Sequence, residues 1–396
     1  MRQAISVVGP PPGTGRRALR LGGARIDLLG FDCAPRVVLG LCVRRCGRIP
    51  HGEGIDDEHD LRRRGSLGPL LRLGDGPEAR MATRALGAIF WARRHDRARV
   101  PWLIAIPLLG AFMATSAESA VPGELPLPVA ALLASAAPAL VAILLVMVSR
   151  RWLGGRSLAD YGLAVDRRWM LDLAAGLTVG LLAVSVPFLI AISAGWVEIV
   201  ATFDAGDVSL IAGIGLFVLA MLFTGLWEEL VLRGVFLCNA AEGLRRWFSP
   251  PRAIAGGLAL SALVFALGHL AQTGISATLL TFVLSGVVLG IVYLCSGDLA
   301  LVIGAHAAFN ITSNLLFARA GGPTDGLSVV MRVEVGPGLP LLASGGLLEF
   351  AAFVLLALFG LLWLLLSRGS VAIDLVSLGI DDESDNAEPT SESTPA

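Results

Sequence analysis

The stretch FTGLWEELVLRGVF, Phe223 to Phe236, places Glu228, Glu229 and Arg233 inside a run otherwise apolar enough to cross a bilayer. A charge at the centre of a membrane helix costs about 2.5–3.5 kcal/mol on insertion scales. Such residues face a bundle interior or a wet cavity, and a functional role is the default expectation. Helical geometry sorts the three. Glu229 and Arg233 are four residues apart, on one face and able to pair. Glu228 points about 100° away from Glu229. The arrangement offers one neutralised pair and one leftover carboxylate, and a carboxylate left free in a dry site is suited to act as a general base on water. The bland alternative is a buried ion network that locks this helix to its neighbours.

Two more polar signals follow. FALGH puts Phe265 and His269 four apart on a later apolar run, and HAAFN puts His306 and Asn310 four apart on another, with Asn314 one turn further along the same face. The chain has five histidines; His51, His59 and His95 lie in a basic N-terminal region, and the other two are in these motifs. A single membrane His or Asn is commonly interhelical glue, worth about 0.6–2 kcal/mol. Three such motifs on three helices of one bundle favour a shared site. Counting from the turn near Ser249, antiparallel helices rising about 1.5 Å per residue bring Glu228 and His269 to similar heights. His306 reaches that height only if helices tilt or the loop between the fourth and fifth spans protrudes.

The elements that must position these residues are membrane helices. Of 396 residues 55% are hydrophobic and 16% charged, against about a quarter charged in soluble domains, and the mean hydropathy is +0.73. A span needs roughly 20 apolar residues. Eight candidates occur at 101–119, 126–148, 171–195, 208–234, 253–271, 277–296, 299–317 and 344–366. The expected fold is all-α, a polytopic bundle of about eight transmembrane helices spanning residues 81–368. Arg93, Arg94, Arg97 and Arg99 precede the first span, Arg150, Arg151, Arg156, Arg167 and Arg168 fill the second connection, and Arg245, Arg246 and Arg252 the fourth. The first and third connections carry Glu and Asp instead. The positive-inside rule then predicts a multi-pass cell-membrane protein with both termini cytoplasmic.

Outside the spans, residues 1–80 are rich in Gly, Pro and Arg, without helical or strand periodicity. They read as a low-structure extension, or as sequence upstream of a start at Met81. The acidic tail 369–396 reads as disordered. Cys33, Cys42, Cys46 and His51 are spaced too loosely for a paired zinc site, and Cys238 and Cys295 in apolar runs behave as small hydrophobes. A net charge of −1 points to no nucleic-acid partner. The chain has no lysine, which reflects GC-rich coding and looks prokaryotic.

The ordered trio EExxxR, FxxxH and HxxxN, each on its own membrane helix, resembles the CPBP family of intramembrane proteases: type II CAAX-processing endopeptidases with bacteriocin-processing and immunity relatives. The matching residues are Glu228, Glu229 and Arg233, then Phe265 and His269, then His306 and Asn310, with Gly234 also typical and Leu232 standing where many members have Phe. The resemblance implies a membrane endopeptidase in which Glu228 and His269 prepare a water for attack on a peptide carbonyl. It implies that His306 and Asn310 stabilise the oxyanion, a task for preorganised donors, with Glu229, Arg233 and Phe265 in support. The family leaves metal use open; Glu228, His269 and His306 could hold a divalent metal such as zinc with water in the fourth position. The implied partners are a protein or peptide substrate at the membrane and the lipid bilayer.

Two readings compete. Intramembrane Glu, Arg and His also mark the ion pathways of transporters and proton-coupled permeases, although no inverted repeat or pair of broken helices is visible. A non-catalytic membrane scaffold or immunity protein would not need the complete motif set found here.

Overall fold

Among the described residues, eight apolar helices make up the body of the protein. In chain order they are α1 (Val100–Ser116), α2 (Leu127–Leu153), α3 (Arg167–Ser193), α4 (from Leu210), α5 (Pro250–Gly268), α6 (Ala277–Ser296), α7 (from Ala300) and α8 (Leu347–Arg368). The computed structural model describes residues 19–21, 24–26, 91–92, 97–116, 125–270, 274, 276–321, 324–336 and 346–373. Each expected span coincides with one of these helices. Six helices are long and apolar enough to cross a membrane, while α1 and α7 fall in a shorter class. Six of the eight expected spans are therefore long enough to cross among the described residues, and the first and seventh are represented by shorter helices.

The short length of α7 has a physical reason. Every residue from Ala300 to Ala308 is buried inside the bundle, so this helix has no lipid-facing stripe that must match the bilayer. It packs closely on α3, where a Cβ on Gly176 would lie 2.2 Å from the Leu301 carbonyl oxygen. Small residues at such crossings let backbones approach, the usual device in membrane helix packing. The long helices carry their exposed large apolar side chains outward: Leu133, Leu140 and Leu144 on α2, Leu181, Leu189 and Ile190 on α3, Leu358, Leu362 and Leu366 on α8.

Local signals set the helix ends. Asp166 caps α3 by accepting from the Trp169 amide at 2.7 Å, and Pro250 starts α5 where its missing N–H costs nothing. Gly154, Gly297 and Gly369 end α2, α6 and α8 in the left-handed conformation.

Two helices depart from α geometry. Helix α4 is α-helical over Leu210–Glu229, π-helical over Leu230–Leu237 and α-helical again over Cys238–Leu244. It runs ten residues past the expected end of span four, so the fourth connection does protrude. Helix α7 ends in a π segment, Thr312–Leu316. Isolated π turns inside α-helices are frequent at functional sites.

Strands were not expected. Paired antiparallel strands β1 (Leu19–Leu21) and β2 (Ala24–Ile26) belong to a separate N-terminal unit, residues 1–42. In the main unit, β3 (Trp91–Ala92) pairs β4 (Arg97–Ala98). A three-stranded sheet of order β5–β7–β6 joins β5 (Val197–Asp204), β6 (Ala318–Arg319) and β7 (Val329–Val335). It lies at the end of the bundle where α3 finishes, α4 starts and α7 finishes. Most of the expected extension 1–80, its cysteine cluster, Met81 and all of the tail beyond residue 373 lie outside the described residues.

Candidate active site

The π turn of α4 is the scaffold. A π segment leaves backbone carbonyls off their α-helical partners, and three side chains serve carbonyls there. Ser261 Oγ on α5 donates to the Leu232 carbonyl at 2.8 Å. Cys238 Sγ lies 3.6 Å from the Arg233 carbonyl. Asn239 Nδ2 donates to the Val235 carbonyl at 2.7 Å and to the Tyr161 hydroxyl at 2.9 Å. Tyr293 closes this buried floor, its hydroxyl donating to the Tyr161 carbonyl at 3.1 Å and touching Cys238 Sγ at 3.2 Å. Gly234 sits against the same floor, where an added Cβ would be 3.2 Å from Tyr161 Cβ.

Above that floor the expected pair forms. Arg233 Nη1 donates to Glu229 Oε1 at 3.0 Å, and both side chains are fully buried. The Arg233 guanidinium also lies over the Phe265 ring, 4.6 Å from its centre, a cation–π contact. His306 Nδ1 is 2.7 Å from the same Glu229 oxygen. That oxygen already accepts from Arg233, so Nδ1 is the donor. His306 Nε2 then faces Glu228 Oε2 across 3.7 Å. Glu228 is 7% exposed, and its Oε2 has no hydrogen-bond partner. A 3.7 Å gap between two polar atoms is wider than a direct hydrogen bond and is the kind of separation one water bridges.

His306 thus joins the acids directly. The protruding α4 explains how: Glu228 is sixteen residues from its end at Leu244, whereas His306 is only six from the start of α7. His269 does not sit within α5 as expected. It follows the last helical residue, Gly268, and its Nδ1 is 2.9 Å from the Phe265 carbonyl. Its ring stacks on Phe282 at 4.0 Å and lies 4.8 Å from Phe265. The Phe265 ring in turn meets the His306 ring edge-on at 6.0 Å. Glu228, Glu229, Arg233 and His306 meet side by side, and His269 approaches them through Phe265. Asn310 is half-buried one turn along α7 from His306, its carbonyl accepting from Asn314 Nδ2 at 2.8 Å.

Among the described residues no group of three or more His, Cys, Asp or Glu side chains is arranged to hold a metal ion. Of the trio Glu228, His269 and His306, raised as a zinc set, His306 Nε2 and Glu228 Oε2 face each other across 3.7 Å, while His269 packs against Phe265 and Phe282.

Residues 210–312 match a family model described as type II CAAX prenyl endopeptidase Rce1-like. Over this segment the chain is similar to the type II CAAX prenyl endopeptidases. The match begins with α4 and ends one residue into the π segment of α7, so it contains every residue of the three motifs and leaves out α1–α3, the β5–β7–β6 sheet and α8. No curated protein and no solved structure gives a match. The six long apolar helices among the described residues are those of a multi-pass membrane protein.

The sequence reading missed Ser261 and Phe282. Ser261 was discoverable, since it lies four residues before Phe265 and eight before His269, on the same side of a helix. Phe282 had no signal, being one apolar residue among many on α6.

Proposed function

We propose that the protein is an intramembrane endopeptidase in which Glu228 is the general base. Glu228 takes a proton from a water, and the hydroxide so formed adds to the carbonyl carbon of a substrate peptide bond. The tetrahedral intermediate collapses with cleavage of the C–N bond, and the proton passes to the leaving amine. His269, on the Phe265–Phe282 platform, shares in holding the water, and His306 with Asn310 receives the oxyanion. Glu229 and Arg233 neutralise each other and fix His306 through Nδ1, and His306 as the imidazolium donates its Nε2–H to the oxyanion.

The observation that carries this reading is Glu228 Oε2: a buried acceptor with no hydrogen bond, 3.7 Å from an imidazole nitrogen. An unmet buried acceptor costs about 1–3 kcal/mol, and Glu228 is set apart by pointing its free oxygen at an imidazole nitrogen with no arginine paired to it. The substrate class is a protein or peptide tail at the membrane, prenylated or not. The arginine-rich connections support a cytoplasmic position for both termini.

The test is cleavage of prenylated and unprenylated membrane-tail peptides by the purified protein in lipid. Wild type cuts at least one class; Glu228→Gln keeps its helical spectrum and thermal transition but does not cut. Cleavage by Glu228→Gln at the wild-type rate would overturn the assignment. Ion flux through the protein in liposomes without cleavage of any peptide would favour a transporter instead.

A further inference from the structure

Strand β5 breaks the rules of a water-facing edge strand. It is the outer strand of the β5–β7–β6 sheet. Soluble proteins protect such edges with charge, proline or short length, yet this one presents Ile199, Val200 and Phe203, preceded by Trp196, all exposed. Two irregularities produce that display. The register with β7 shifts between Ile199 and Ala201, so Val200 is an extra residue and stands out beside Ile199. Phe203 has φ +54°, the one non-glycine residue in that region among the described residues, and its side chain is 68% exposed. A bulky residue in the left-handed region is strained, and here the strain turns an aromatic ring outward, where regular alternation from the buried Val197 would have turned it in.

The opposite side of the strand is satisfied. Val197 and Val333 pack into a cluster with Val184, Phe188, Phe317 and Leu348. The outward apolar row continues on both neighbours: Leu189 and Ile190 are exposed on the last turns of α3, and Ile211 is exposed on the first turn of α4. Those helices are two of the six long apolar ones, so the row extends their lipid-facing surface past the helix ends. Of the nearby charges, Arg332 Nε donates to Asp204 at 2.6 Å and Arg332 Nη1 to Asp325 at 3.2 Å, while Glu198 and Glu334 are cross-strand neighbours and exposed.

We infer that β5 is a membrane-interface anchor: Trp196, Ile199, Val200 and Phe203 seat in the headgroup–acyl boundary of the leaflet opposite the arginine-rich connections. Trp and other aromatics favour that depth, and an apolar face buries about 5–10 Å there. The contact is with acyl chains rather than headgroup charge, since the strand itself carries only Glu198 and Asp204 as ionisable residues. The sheet hangs on the catalytic helix, because β6 follows directly after the π turn that ends α7. Seating β5 therefore sets the height of His306 and Asn310 relative to a substrate entering from the same bilayer. That consequence rests on the proposed function; the anchor itself does not.

The experiment uses the full chain in phosphatidylcholine nanodiscs with a photoactivatable phospholipid carrying a diazirine either near the glycerol or at the chain terminus. Adducts are mapped by mass spectrometry after digestion. Residues 196–203 should give adducts about fivefold more abundantly from the shallow probe than from the deep one, as expected for shallow burial. Leu181 and Leu182 on α3 should react with the deep probe and serve as the internal control. Adding phosphatidylglycerol should not change the yield. The double variant Val200→Asp, Phe203→Asp should lose adducts on the strand and keep them on α3. Labelled α3 with an unlabelled strand would overturn the inference, and would point to water, a second copy or another protein on that edge. Strand labelling that rises with anionic lipid would overturn the acyl-contact assignment. Neither outcome depends on whether any peptide is cleaved.

Discussion

The site cluster, Glu228, Glu229, Arg233 and His306, and a second cluster, Asp172, Asp298 and Arg368, are built from similar parts. Each has two carboxylates and one arginine; in the first all three lie on α4 and Arg233 pairs only with Glu229, whereas in the second one arginine bridges both acids from separate elements. In the second, Arg368 Nη2 reaches Asp172 at 2.9 Å and Asp298 at 3.0 Å. Trp363 Nε1 donates to the other Asp172 oxygen at 2.7 Å, and the Ala300 amide to the other Asp298 oxygen at 3.0 Å. All four carboxylate oxygens are used there, and the atom left unpaired is a donor, Arg368 Nε. In the first cluster the unpaired atoms include two acceptors, Glu228 Oε2 and Glu229 Oε2. A cavity of about 390 Å³ opens beside the second cluster, lined by Asp166, Arg168, Asp298 and Arg368 among others. A cavity beside a cluster is not by itself a sign of chemistry. Unspent acceptors beside an imidazole point to the first cluster, because chemistry needs a lone pair that the fold has not already used.

The widest separation between the two should appear in activity. Glu228→Gln removes the proposed base and should lower the single-turnover cleavage rate by about a thousandfold, within the usual range for lost general-base catalysis. Asp298→Asn should leave that rate unchanged. Equal losses from both would erase the distinction drawn here. In stability the order concerns the arginines. Arg233→Ala leaves Glu229 buried with His306 as its sole remaining partner, and breaking a fully buried pair costs about 3–5 kcal/mol. Arg368 is 14% exposed, at a helix end, so Arg368→Ala should cost less. Denaturant-driven unfolding in bicelles ranks the two, and a reversed rank would show that the second cluster is the main clamp.

The first cluster was legible in the sequence and the second was not, for reasons of depth. Glu228 and Arg233 stand in the middle of an apolar run, where a charge has no bland explanation except pairing. Asp172 lies near the start of α3 beside Arg167 and Arg168, and Arg368 at the end of α8, where charges read as ordinary interfacial residues. The helices were legible because apolar length is a one-dimensional signal. The π segment of α4 was not, because its displaced carbonyls are served by Ser261 from α5 and by Asn239, which Tyr161 holds in place, and sequence spacing does not announce either contact. The β5–β7–β6 sheet was hidden for a related reason: Val197–Asp204 and Val329–Val335 are more than a hundred residues apart, and the bulge at Val200 breaks the alternation that would have announced a strand. His269 was placed one residue too deep in its helix, since FALGH alone does not say where the helix stops.

A smaller effect probes the floor under the first cluster. Ser261→Ala leaves the Leu232 carbonyl without its donor, which should cost about 1–3 kcal/mol. Ser261→Thr should restore most of it, keeping the hydroxyl. If both variants behave alike in unfolding, the hydroxyl does not hold the π turn and the contact is incidental.

The smallest effect concerns pH. Asp298 lies in the turn between α6 and α7, and burial raises its pKa to about 6, with the Arg368 guanidinium opposing and Asp172 adding to the rise. The unfolded chain has an ordinary aspartate value near 3.9, so the folded state holds the proton more tightly. Stability should therefore increase as pH falls from 7 through 6, and stop increasing once the pH is below the unfolded value. Between pH 7 and pH 5 the gain is about 1 kcal/mol. Asp298→Asn should flatten that rise while leaving the peptide-cleavage pH profile, which the proposed function assigns to the Glu228 cluster, where it was. A cleavage profile that moves with Asp298→Asn would mean the two clusters are coupled through α7, whose first residue bonds Asp298 and whose seventh is His306, and the contrast between a satisfied cluster and a reactive one would have to be redrawn as one connected network.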